Sequence, residues 1–176
     1  MGHVDKGGVV VWNPAVVDFL HNFISNTPMS PKDNRIGVLV MSVGIDDMIP
    51  ISPNKPFLLG ALGNLRPSFQ GGCTDKGIST ATSLFYQYGR PIAVKRIVVL
   101  TDSAMKCQYQ TIPQSVHARK LGIDIIHVGF GPGLNQNQPI GVMEKSLFMV
   151  PGLKMLPEIG VNVAKRACIG KCNYSC

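Results

Sequence analysis

RIGVLVMSV, residues Arg35 to Val43, is apolar at nearly every position. A strand with one face in water alternates apolar and polar side chains, so a near-continuous apolar run predicts a strand covered on both faces. RIVVLT (Arg96 to Thr101) and IDIIHVGF (Ile123 to Phe130) repeat the pattern. Helical spacing fills the intervals. Asn13-Pro14 is a capping side chain followed by proline at a first helical position, and Val16, Val17, Leu20, Phe23 and Ile24 follow on one face. Phe57 to Leu65 predicts a short helix. Ile78, Ala81, Leu84, Phe85 and Tyr88 predict a longer one that stops at Gly89-Arg90-Pro91. Val116, Ala118 and Leu121 lie on a helix closed by Gly122, and Leu156 to Ala167 is a last amphipathic helix with Ile159, Val163 and Ala167 inward. Asp46-Asp47 is expected to turn the chain into a short antiparallel edge strand at Met48 to Ile51, and Leu147 to Val150 is a further short strand. Apolar strands alternating with helices predict an α/β fold, a doubly wound, mostly parallel sheet with helices on both faces.

The composition agrees. The chain has 176 residues, 45% hydrophobic and 15% charged, which is enough apolar material for one domain with its own core and excludes wholesale disorder. No apolar run is long enough to span a membrane. The first residues lack the charged-then-apolar pattern of a signal peptide. Lys+Arg 17 against Asp+Glu 10 gives +7. That excess is scattered in pairs such as Lys95-Arg96, Arg119-Lys120 and Lys165-Arg166, with no interleaved aromatics, so nucleic acid is not an expected partner.

The five cysteines are Cys73, Cys107, Cys168, Cys172 and Cys176. The last three have C-x3-C-x3-C spacing without the second pair a zinc site needs. Asn173-Tyr174-Ser175 is a glycosylation sequon among them. Clustered cysteines beside a sequon point to a secreted, extracellular, disulfide-bonded glycoprotein. The odd count leaves a free thiol, an intermolecular bridge giving a disulfide-linked oligomer, or a partner outside this sequence.

In doubly wound sheets the working residues lie at the carboxyl ends of the strands. Ser42 lies there, as do Asp102 and Ser103, and Gly72, Thr74 and Asp75 lie in a neighbouring loop. An aspartate at one strand end and a threonine in the next loop can share a hard cation through oxygen ligands. The competing readings are Thr74 as a helix cap and Asp102 as a turn residue. Cys73 and Cys107 fall in loops at the same end. They either pair across that face or remain separate thiols.

The segments RIGVLVMSV, FLLGALGNLRPSFQGGCTDKGISTA, KRIVVLTDS, ARKLGIDIIHVGFG and LPEIGVNVAKRAC, in this order, resemble the von Willebrand factor type A domain family. The resemblance implies a doubly wound sheet and a non-catalytic, extracellular adhesion module that binds collagen, another matrix protein or a cell-surface protein. It also implies a metal-ion-dependent adhesion site for Mg2+ or Mn2+, with Thr74 as its threonine, Asp102 as its later aspartate and Asp5 as its first. Residues 1–168 would form the domain and 169–176 a cysteine-rich tail. The family's Asp-x-Ser-x-Ser loop corresponds to Asp5-Lys6-Gly7-Gly8-Val9, where Gly7 and Val9 replace hydroxyls, so the site is degenerate. Only Met1 to Val4 precede that loop, where the family has its first strand. Either VVVW (Val9 to Trp12) is itself a strand, or that strand lies in sequence preceding Met1.

Other classes are less well supported. A structural matrix component cross-linked through Cys172 and Cys176 fits the cysteine pattern. A small α/β hydrolase does not, because Ser42 lacks the first glycine of a nucleophile elbow and His127, inside an apolar strand, reads as a packed, hydrogen-bonded core residue. Gly129 to Gly133 has Leu134 where a dinucleotide fingerprint needs glycine.

Overall fold

The structure is a computed structural model that describes residues 2–4, 10–67, 74–101, 108–131 and 147–168. The chain divides into two compact units. One comprises Met1–Val40, Asp46–Phe69 and Leu153–Cys176, the other Met41–Ile45 and Gln70–Gly152.

In the first unit, β1 (Gly2–Val4) and β2 (Val10–Trp12) pair antiparallel, with Gly2 opposite Trp12. VVVW is therefore largely strand, as one of the two sequence readings has it. α1 (Pro14–Ser25) begins at Asn13, whose side-chain oxygen accepts the Ala15 N–H at 3.0 Å. The buried stripe is Val16, Phe19, Phe23 and Ile24. Phe19 therefore joins the core, while Val17 and Leu20 stand at its margin, half-buried. The rings of Phe19 and Phe23 stack with centroids 6.3 Å apart. The helix ends in side-chain bonds: Thr27 Oγ1 donates to Phe23 O at 2.8 Å and Lys55 Nζ donates to Ser25 O at 2.8 Å.

α1 packs against α5 (Gly160–Cys168), which is shorter than predicted. The segment before it, Leu153–Met155 and Pro157–Ile159, winds as tighter 3-10 turns, with Pro157 opening the second. Asn22 Nδ2 clasps this turn through Pro157 O at 3.0 Å. Gly160, Val163, Ala164 and Cys168 are buried, whereas Ile159 and Ala167 are half-buried rather than inward.

β3 (Ile36–Met41) pairs with β4 (Ile45–Ser52). A link of Ser42 to Gly44 is too short for a crossover, so the two strands run antiparallel. The turn is thus at Ser42, whose N–H donates to Gly44 O at 2.9 Å, and not at Asp46-Asp47. Asp47 instead lies in the strand, its two carboxylate oxygens accepting the N–H groups of Met48 and Arg66. On one face of β3 Val38 and Val40 are fully buried, while Leu39 and Met41 on the other are half-buried. α2 (Lys55–Ala61) starts at Asn54, which caps the Phe57 N–H at 3.0 Å, and runs into a 3-10 turn at Leu62–Asn64.

The second unit holds a parallel three-stranded sheet in the order β5-β6-β7. β5 (Lys95–Thr101), β6 (Ile123–Phe130) and β7 (Leu147–Val150) correspond to the predicted strands. The central β6 is the strand buried along its length on both faces, with only Asp124 partly exposed. That residue lies opposite Arg96 in register and pairs with its Nε at 3.5 Å. α3 (Thr74–Tyr88) and α4 (Gln108–Lys120) pack together, α3 against β5 and α4 against β6. Their core is Ile78, Ile97, Val99, Ala118, Ile123 and Ile125. α4 meets it with Thr111, Ser115 and Ala118, spaced as one helical face, while Val116 and Leu121 are exposed. Gly122, at φ 76°, closes α4 in the left-handed conformation that glycine adopts without strain.

Candidate functional site

Each helix of the second unit returns by a short link to the start of a parallel strand, so the helices run antiparallel to the strands. The amino-terminal turn of α3 therefore lies at the carboxyl ends of the strands, where α/β sheets bind ligands. Thr74 opens that turn and is 7% exposed. Asp75 follows in the same turn. Its Oδ1 is buried and has no hydrogen-bond partner among the described residues. A carboxylate here is stabilised by the positive end of the helix. An unpaired buried oxygen is nonetheless costly, of the order of 1–3 kcal/mol.

The β3–β4 turn is the second element at this site. A Cβ at Gly77 would run into Met41 Sδ, so the beginning of α3 passes directly over the end of β3. Ser42, next in sequence, is buried. Thr74, Asp75 and Ser42 are thus the predicted site residues that the structure describes in this unit. Asp5, Gly72, Cys73, Asp102, Ser103, Cys107, Cys172, Asn173 and Cys176 lie outside the described residues. Cys168 lies in the first unit, buried at the end of α5, with Asn34 Nδ2 4.0 Å from its sulfur.

For a hard cation, the described donors are the Thr74 hydroxyl and the neighbouring Asp75 carboxylate. Among the described residues no cluster of three or more His, Cys, Asp or Glu side chains is arranged to hold a metal ion. These oxygens therefore do not make a cation site unaided.

His127 corrects the sequence reading in one respect. It is fully buried, but neither ring nitrogen has a hydrogen-bond partner among the described residues. Strand alternation puts it on the face of β6 shared by Ile123 and Ile125, the face covered by α3 and α4. Two further buried hydroxyls without partners among the described residues, those of Thr111 and Ser115, belong to the buried face of α4. Burial, and secondarily the positive charge of Arg119, lowers the His127 pKa from 6.5 to about 4, so the ring is neutral at physiological pH. This polar stripe beneath α4 went unread. Its signal was the spacing of Thr111, Ser115 and Ala118, which marks a helix face whose apolar content is low.

The sequence profile of the von Willebrand factor type A domain matches residues 8–146. No curated protein sequence matches the chain. Among solved structures, the chain is similar to proximal thread matrix protein 1 from the mussel byssus with a zinc-occupied MIDAS motif. That likeness has a TM-score of 0.75, and of 0.72 to 0.75 across the structures of the mussel protein, at 20% identity, over 88% of this chain and 40% of that one. Manganese-loaded TRAP protein of Plasmodium vivax aligns with a TM-score of 0.66 at 16% identity, over 83% of this chain and 65% of that one. The pilus adhesin SpaC of Lactobacillus rhamnosus GG aligns with a TM-score of 0.68 at 13% identity, over 92% of this chain and 28% of that one. The chain thus spans about 40% of the length of the mussel protein, and at these identities the likeness speaks to fold. With the profile covering most of the sequence and the parallel sheet flanked by helices, the chain belongs to the von Willebrand factor type A domain family.

Proposed function

We propose that this chain is a non-catalytic, extracellular protein-binding module that adheres to collagen, another matrix protein or a cell-surface protein through the carboxyl ends of its strands. The observation that carries this reading is the start of α3, where Thr74 is buried beside the unpartnered Oδ1 of Asp75. A carboxylate oxygen held without a partner among the described residues is positioned to meet a cation or a ligand's donor groups. The matrix and adhesin proteins among the structural relatives support the same direction. In this reading residues 1–168 act as one domain and 169–176 as a tail whose cysteines link copies, with Asn173 glycosylated on the secreted protein. Equilibrium binding to immobilised fibrillar collagen tests the proposal. Saturable binding is expected, and its absence for collagen and other matrix proteins alike would remove it.

A cation bound here would neutralise and orient the acidic group of a ligand. Thr74 and Asp102 are the chain's ligands for it, with Asp5 the third. Gly7 and Val9 supply no side-chain oxygen where the family has hydroxyls, and Lys6 adds a like charge. Manganese titrated calorimetrically is therefore expected to bind no tighter than about 100 µM, the range of weak extracellular cation sites. A low-micromolar constant would show that further oxygens complete the shell.

A further inference from the structure

The amino-terminal end of the β5–β6 sheet presents a surface of unusual composition. Four segments meet there: the end of α3, the link from Gly89 to Val94, the end of α4 with Leu121, and the paired strand starts Lys95 and Ile123. Ile92 is 86% exposed, and Tyr86 and Tyr88 on the last turn of α3 are 68% and 64% exposed. Val94 and Leu121 are exposed as well. Single exposed apolar residues are ordinary, but several gathered at one end of a sheet mark an interaction surface.

The link carrying Ile92 is internally braced. Gly89 N–H donates to Phe85 O at 3.0 Å and Ala93 N–H to Arg90 O at 3.1 Å, while Lys95 Nζ reaches both Pro91 O and Ala93 O at 3.4 Å. Pro91 fixes one backbone torsion within it. A side chain held out on such a turn has little backbone freedom left to lose on binding.

Charge identifies what fits. The stretches Tyr86 to Arg96 and Val116 to Asp124 contain Arg90, Lys95, Arg96, Arg119 and Lys120 but a single acid, Asp124. That acid pairs with Arg96. Exposed apolar side chains among residues with an excess of cations are complementary to an acidic segment that also carries apolar side chains. A purely anionic polymer would engage the cations and leave Ile92 and the tyrosines uncovered.

We propose that this end of the sheet is a second protein-docking surface, for an acidic partner segment bearing apolar or aromatic side chains. It lies at the end of the unit opposite Thr74 and does not depend on the proposed ligand face. The module can therefore hold two partners at once, one at each end of its sheet.

Fluorescence anisotropy of the full chain with a labelled synthetic peptide alternating glutamate with leucine and tyrosine tests this. A glutamate-only peptide of equal length and dextran sulfate serve as comparison probes. The alternating peptide is expected to bind saturably and at least about tenfold tighter than the glutamate-only peptide. Ile92→Ser and Lys120→Glu, both at exposed positions, are expected to weaken it about tenfold each, the effect of a single interface anchor, with unchanged thermal melts. Absence of saturable binding would overturn the proposal. So would equal affinity for dextran sulfate with no effect of Ile92→Ser, because charge alone would then account for binding. Failure to bind collagen leaves this proposal standing, since the probes and variants are separate.

Discussion

Acidification from pH 7 to pH 4 is expected to cost the fold about 3 kcal/mol through His127 alone. The ring is buried on the α4 side of the central strand, and its pKa falls from 6.5 to about 4. The unfolded chain therefore binds a proton as the pH falls through 6.5, while the folded chain stays neutral until about pH 4. Stability from the neutral ring is complete above 6.5, declines by about 1.4 kcal/mol per pH unit below it, and levels off under the folded value. Neither ring nitrogen has a hydrogen-bond partner among the described residues to offset the charge. Thr111 and Ser115 are neutral hydroxyls on the buried face of α4, and Arg119 adds a repelling charge. Urea unfolding at pH 7.5, 6.0 and 5.0 measures the slope. His127→Leu keeps the volume, removes the titrating group, and should flatten the decline between pH 6.5 and 5, where carboxylates titrate little. Equal slopes for the two proteins would show that another group governs acid stability.

The second large effect is at Gly160. A Cβ there would stand 3.0 Å from both Asn22 Cβ and Phe19 O and 3.3 Å from Phe23 N. Two of these neighbours are backbone atoms of α1, which cannot rotate aside. Gly160→Ala should therefore destabilise although alanine is the better helix former, and Gly160→Leu should cost about 3 kcal/mol by prising α5 from α1. Gly152→Ala is the matched control, because nothing lies within 4 Å of its built Cβ. Denaturant midpoints for the three variants decide the point. A stable Gly160→Leu would mean that the two helices separate without loss of core.

The sequence was most readable where apolar pattern and punctuation agree. Asn13-Pro14 announced α1, the apolar runs announced β5 and β6, and Gly122 announced the end of α4. It misled where a polar signal had two uses. Asp46-Asp47 reads as a turn, yet Asp47 spends its carboxylate on the N–H groups of Met48 and Arg66 within and beside β4. The real turn is made by Ser42 and Gly44, which the apolar residues around them disguised. α4 was harder to read because its buried face includes two hydroxyl residues, Thr111 and Ser115, so apolar spacing pointed to the exposed Val116 and Leu121. For the site, Thr74 and Asp75 were legible because a polar pair after a glycine-rich stretch opens a helix. What brings the end of β3 to the start of α3 is the tertiary approach of Gly77 to Met41, which no local pattern carries.

The most direct measurement for the proposed ligand face is collagen binding by the chain and by its Thr74→Ala and Thr74→Ser variants. Thr74 is buried, so thermal melts must first show that each variant folds. With folding intact, Thr74→Ala is expected to lose at least about tenfold in affinity, the effect of an interface anchor, and Thr74→Ser, which keeps the hydroxyl, to retain most of it. Undiminished binding by a well-folded Thr74→Ala would contradict the assignment of the strand-end face.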